Sequence, residues 1–145
     1  WLNEFRRTIE PAAAGMAALR ASVEQRLHIK QKMAELEEVC LRGMAGDDDI
    51  EEYVDADTAF HDAIFDASAN PFLQSVAQHI GEAMAKSRKL THKVPGAEER
   101  ALPLHQEVAD AILTKDAKGA EAAMLKLFAV VEGDLEEVFT GIRER

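Results

Sequence analysis

Apolar residues recur every three or four positions along almost the whole chain, in six blocks separated by short breaks rich in glycine, proline and small polar residues. That spacing marks one buried face of an α-helix, and no stretch shows the two-residue alternation of a strand. The first block, about residues 2–20, carries Leu2, Ile9, Ala13 and Met16 on one stripe with Arg6 in line, and Pro11 predicts a kink or local break. The second, about 22–42, places Ile29, Met33, Leu36 and Cys40 on one face and stops at Gly43. After the turn Gly46-Asp47-Asp48-Asp49, a third helix is expected to about Ala69, with Ile50, Tyr53, Val54, Ile64 and Phe65 facing inward. Asn70-Pro71 opens a fourth, whose inner face is Leu73, Val76, Ala77, Ile80 and Met84, with Arg88 at its edge. The fifth, about 97–114, aligns Ala101, His105, Val108 and Ile112, and Pro103 near its start offers an alternative boundary. The sixth, about 117–143, bears the long stripe Ala120, Met124, Leu127, Val131, Leu135, Val138 and Ile142.

Short connections between long amphipathic helices predict one all-α domain, an antiparallel bundle of about six helices. The helical pattern begins almost at once at Trp1, which leads us to expect a further segment upstream. With 145 residues, 47% of them hydrophobic, the chain can bury a core without disulfides or structural metals. The single Cys40 lies on an apolar stripe and reads as a buried thiol in a reducing compartment. No apolar run approaches the ~20 residues that span a bilayer, so a cytoplasmic location is expected.

Charge changes the picture more. Twenty-seven acidic residues against 17 basic ones give a formal net charge of -10, which repels a phosphate backbone and excludes direct nucleic-acid binding by this chain. The acidic run from Asp47 to Asp57 falls where the third helix starts, and lacks the spacing of a calcium loop, so it reads as capping and helix-dipole complementation.

Within that helix, Asp57 and His61 are four residues apart and share the apolar stripe. A carboxylate and an imidazole buried there need partners. A bound metal ion, a polar ligand, or each other together with a distant side chain would each serve. Arg6 and Arg88 are candidates to clamp the carboxylate of a bound ligand through a bidentate contact, the alternative being a structural ion pair with Glu10 or another acid. His28, His79 and His92 read as surface or helix-end residues.

Four segments, taken in order, resemble a known family: Glu4-Phe5-Arg6-Arg7-Thr8-Ile9-Glu10-Pro11-Ala12-Ala13-Ala14, Asp57-Thr58-Ala59-Phe60-His61, Asn70-Pro71-Phe72-Leu73, and His105-Gln106-Glu107-Val108-Ala109-Asp110-Ala111-Ile112. They are similar to the FCD domain, the C-terminal effector-binding domain of the FadR subfamily of GntR-type bacterial transcriptional regulators, and the likeness runs over essentially the whole chain. The resemblance implies a bundle enclosing a pocket for a small organic acid, often bound through a divalent metal such as zinc, nickel or manganese. It also implies homodimerisation, and operator DNA contacts made by an N-terminal winged helix-turn-helix domain absent from this chain. Carried over by motif, the metal ligands are Asp57, His61 and His105. The fourth ligand of the family, a histidine on the last helix, falls at Leu127, an apolar pocket wall here. Three protein donors suffice for a first-row metal with open positions, but a metal-free pocket with Asp57 paired to His61 or His105 is the competing expectation. Two further readings are a closed dimerisation module and, since a metal with open sites activates water, a metal-dependent hydrolase. No nucleophile motif or clearly placed general base supports the last, and a non-enzymatic role is expected.

Overall fold

The structure, a computed structural model, describes residues 1–143. Six helices follow one another: α1 (Leu2–Arg20), α2 (Val23–Met44), α3 (Ile50–Ala67), α4 (Pro71–His92), α5 (Ala97–Leu113) and α6 (Ala117–Arg143), with no strand among the described residues. The links are short, and the most extensive contacts pair α5 with α6, α1 with α6 and α2 with α3. The fold is the expected all-α bundle.

Local chemistry fixes the helix ends. Ser22 and Gln25 form a reciprocal capping box, the Gln25 N–H donating to the Ser22 hydroxyl (3.1 Å) and the Ser22 N–H to the Gln25 carbonyl (2.9 Å). Asp49 caps α3 by accepting from the N–H groups of Glu51 and Glu52, so the acidic run does start a helix as expected. Asn70 accepts from Phe72 (3.0 Å) and Leu73 (3.3 Å), with Pro71 at the first helical position. Gly96 opens α5 with φ 75°, a left-handed backbone that glycine adopts without steric cost.

Neither internal proline breaks its helix: α1 runs through Pro11 and α5 through Pro103. Burial is the physical reason in α1, where Pro11 sits among the buried residues Glu10, Ala13 and Ala14, and packing on both sides offsets the missing N–H. The expected stripe of α2 is buried as read, and so is that of α3 apart from the half-buried Ile50, with Ile29, Leu36, Phe60 and Ile64 almost fully enclosed. Cys40 is buried too, and burial, with Glu98 and Asp57 adding to it, pushes its thiol up to about 12, so it is inert at neutral pH.

Two stripes depart from expectation. On α6 the core ends near Phe128: Val131, Leu135 and Val138 are only half-buried, and the Ile142 side chain lies outside the described residues. On α4 only Ala77, Met84, Arg88 and Thr91 are buried, because that helix leans mainly on α3 and makes thin contacts with α1, α5 and α6. The α1–α6 contact is the opposite case. α1 buries Ala13, Ala14, Ala17 and Ala18 and α6 buries Ala120 and Ala123, and a Cβ added at Gly15 would lie 2.3 Å from the Glu121 carboxylate.

Replacing Asn70 by alanine removes both cap bonds of α4. We expect a loss of about 1 kcal/mol and a drop of about 3–4 °C in Tm, measured by thermal denaturation, with Asn70→Gly losing only a few tenths of a kcal/mol.

Candidate metal and effector site

The bundle closes around a charged chamber of about 30 Å³, lined by Arg6, Tyr53, Asp57, His61, Arg88, His105, Leu127 and Phe128 among others. Every residue singled out from the sequence as ligand, clamp or wall therefore meets at one place. Helix α1 contributes Arg6, α3 contributes Asp57 and His61 one turn apart, α4 Arg88, α5 His105 and α6 Leu127. Each of the five ionisable groups is at most 4% exposed, and Leu127 is 1% exposed. Leu127 forms an apolar wall and offers no donor.

Hydrogen-bond partners decide what each group can do. The Nδ1 of His105 lies 3.0 Å from the Ala101 carbonyl, which can only accept, so Nδ1 carries the hydrogen. The Nδ1 of His61 lies 2.5 Å from Oε2 of Glu10, and it donates there for the same reason. Both rings are thereby turned so that Nε2 faces Oδ1 of Asp57, at 2.9 Å for His105 and 3.8 Å for His61. The other oxygen of Asp57 is taken by Nε of Arg88, whose Nη1 also donates to Thr58 Oγ1 at 3.3 Å. Arg6 donates from Nε to Glu10 Oε1 at 2.7 Å and lies over the Phe128 ring, 4.7 Å from its centroid.

This donor set fits a divalent metal. One oxygen of Asp57 and one nitrogen of each imidazole lie within 4.8 Å of one another. Donors sharing one ion at about 2.0–2.1 Å sit about 3 Å apart; His105 and Asp57 already meet that spacing at 2.9 Å, and His61, at 3.8 Å from Asp57, has to close in. Hydrogen bonds on the far nitrogen of each ring fix the tautomer in the manner of known metal-bound histidines. Glu10 is the residue the sequence reading undervalued. It appeared only as a partner for Arg6, whereas it also orients His61; its place one turn after Arg6 on the same stripe was the available signal.

Electrostatics are consistent with these roles. Burial pushes the Glu10 carboxyl up, but Arg6 and His61 outweigh it and hold the group at about 2. Asp57 is likewise raised by burial and overcompensated by Arg88, His61 and His105, ending well below the usual carboxylate range. Burial lowers the His61 imidazole against the pull of Glu10 and Asp57, which keeps it neutral and able to ligate near pH 7.

The remaining histidines separate into two kinds. His28 is exposed, and His79 is exposed with its Nδ1 2.7 Å from the Ser75 carbonyl, as expected of surface residues. His92 does end α4, but its side chain is only 7% exposed, because Asp48 and Glu98 close over it and Tyr53 packs on its ring at 4.9 Å. It is not a surface residue.

A six-helix domain built round an enclosed ionisable chamber is thus the class that fold and site define. The family model of the FCD domain matches residues 2–130, and the chain belongs to that family. It is 28% identical over 141 residues to the galactonate operon transcriptional repressor of Escherichia coli K12, covering 94% of this chain and 57% of that protein. It is 27% identical over 143 residues to the HTH-type transcriptional regulator LutR of Bacillus subtilis 168, covering 95% of this chain and 62% of that one. Among solved structures, Streptococcus agalactiae GntR superposes with a TM-score of 0.74 at 23% identity, over 91% of this chain and 56% of its own, a likeness of fold. The chain spans a little over half the length of these proteins, and the two curated relatives are regulators of transcription.

The two depressed carboxyls set the acid stability. Their contribution is fully present above the unfolded values near 4.5 and 3.8, and is lost as pH falls through the folded ones, about 2 for Glu10. Urea midpoints should therefore decline steadily between pH 4.5 and 2, with a shallower decline in Glu10→Gln.

Proposed function

We propose that this chain is the sensor domain of a cytoplasmic GntR-type transcriptional regulator, binding a small organic acid through a divalent ion on Asp57, His61 and His105, with Arg88 and Arg6 receiving the acid's carboxylate. The observation that carries this reading is Nη2 of Arg88, buried at the chamber without any hydrogen-bond partner. A buried guanidinium N–H left unpaired is costly, and a ligand carboxylate is the partner its fork geometry fits. The name of one relative points to the same class, since galactonate is a hydroxycarboxylate.

When bound, the ion supplies open coordination positions to oxygen donors. The protein's own residues do the rest. Glu10 and the Ala101 carbonyl aim the two imidazoles, Asp57 shares its charge with Arg88, and Leu127 keeps one wall dry. A chamber of about 30 Å³ holds a water or an ion but no acid of several carbons, so an effector must widen it. Helix α4 is the element with least to lose, being thinly packed and carrying Ser87, Arg88 and Thr91 on the chamber wall. Its displacement is the change that a second copy in a homodimer, and a DNA-binding domain preceding this one, would read as a shift between two states.

One observation favours a metal-free variant of this reading: Arg88 already neutralises one oxygen of Asp57, leaving His105 to pair with the other. Calorimetry with a panel of hydroxy and dicarboxylic acids, with and without zinc, separates the two. Zinc-dependent, saturable binding that His105→Ala abolishes supports the metal-bound form; equal binding without zinc supports the other; no binding to any acid by the folded protein overturns both. Zinc-induced thermal stabilisation should fade below about pH 6 as imidazoles take up protons.

Placing a histidine at the apolar wall supplies a fourth donor. Leu127→His is expected to tighten zinc binding at least ten-fold, measured by competition with a chromophoric chelator, whereas Leu127→Met should leave it unchanged.

A further inference from the structure

Helix α2 packs on α3 and α5 and on no other helix among the described residues, so it is supported on one side only. Ile29, Met33, Leu36 and Cys40 form its buried face. A second row on the same helix, Val23, Leu27, Lys30, Ala34, Glu37, Leu41 and Met44, repeats at alternating steps of four and three and is exposed from end to end. That alternation is the seam along which two helices pair. Its large apolar members, Val23, Leu27, Leu41 and Met44, are between 38% and 76% exposed. Isolated apolar side chains at a surface are ordinary, but a continuous row of them marks a surface that another molecule covers.

The row is complementary to itself. Ala34 is its midpoint, and Leu27 and Leu41 stand seven residues to either side, about 10 Å along the axis in each direction. A small side chain at the midpoint lets a second helix come close, and the two leucines then fall at equal distances from the crossing. Charge fixes the direction of that second helix. Lys30 and Lys32 precede Ala34, whereas Glu35, Glu37 and Glu38 follow it. Lys32 is taken up by Glu35 and Arg42 by Glu52, but Lys30, Glu37 and Glu38, all exposed, have no ion-pair partner among the described residues. A copy laid parallel would set lysine beside lysine and glutamate beside glutamate. Laid antiparallel, it sets each lysine beside the other copy's glutamates.

We propose that the exposed face of α2 is a contact between two copies of this chain, paired antiparallel about a two-fold axis at Ala34. Leu27 of each copy packs on Leu41 of the other, Lys30 reaches Glu37 and Glu38, and Val23 meets Met44 at both ends. Such a contact is isologous and closes on itself, so it joins two copies and no more. No residue of the row lines the central chamber, and α2 does not touch α4. The contact therefore leaves the thinly packed helix free to move, and it stands or falls independently of the metal and the acid.

Two measurements test it. In the first, Ala34→Cys is oxidised beside wild type and Ala122→Cys, a control at an exposed position of α6; Cys40 is buried and stays silent. Ala34→Cys is expected to form a covalent dimer and the other two are not. In the second, light scattering compares wild type with Lys30→Glu and with Glu37→Lys/Glu38→Lys. Each charge-reversed chain is expected to show at most half the wild-type mass, and an equimolar mixture of the two is expected to regain it, because each then meets opposite charge. Cross-linking of Ala34→Cys no stronger than that of Ala122→Cys overturns the proposal. So does a mixture no heavier than either reversed chain alone. A face that takes a different protein, or a domain preceding this one, would produce both failures.

Discussion

Four charges buried in so small a bundle are tolerable only because they are matched. Glu10 faces Arg6 and Asp57 faces Arg88, each pair at most 5% exposed; His61 bridges one pair to the other, and His105 ties Asp57 to the Ala101 carbonyl. Removing one member of such a set leaves an uncompensated charge, a cost of about 3–5 kcal/mol, which makes the network a constraint on every helix that contributes to it. Helices α1, α3, α4 and α5 must arrive in register for the pairs to form. The apolar core sets how close the helices come, and the charges set which residues face which.

This network also explains what the sequence disclosed. The helices were legible because their stripes are long and their breaks carry capping residues: Asp49 and Asn70 each perform the role their position suggested, and Ser22, which was not singled out, caps α2. Asp57, His61 and His105 were legible through motif resemblance, and they converge because the inner faces of α3 and α5 both look into the chamber, where the two imidazole centroids lie 5.5 Å apart. Glu10 was not, since a carboxylate on an apolar stripe reads as the partner of the arginine one turn away, and nothing local tells that its second oxygen meets a ring 51 positions further on. His92 was missed for a related reason. A histidine at a helix end is ordinarily solvated, and only the return of α5 past the α2–α3 turn encloses it.

Pro11, Pro103 and the two over-read stripes show where periodicity misleads. A proline weighs against a helix less when packing holds it, as it does the buried Pro11, and α5 runs on through the exposed Pro103 because its other face is buried through Ala101, His105 and Val108. Conversely, an apolar stripe on α4 or the distal part of α6 states what a helix can bury, not that a neighbour within the same chain covers it.

The alanine seam between α1 and α6 has a mechanical consequence. With the Glu121 side chain lying over Gly15 and only small buried side chains on both helices, there is little bulk between α1 and α6 to compress, so this contact yields less readily inward than the thinly packed α4 yields outward. The bundle therefore resembles a vise with one jaw bolted down. Any strain generated in its middle has to come out on the far side, in a single preferred direction.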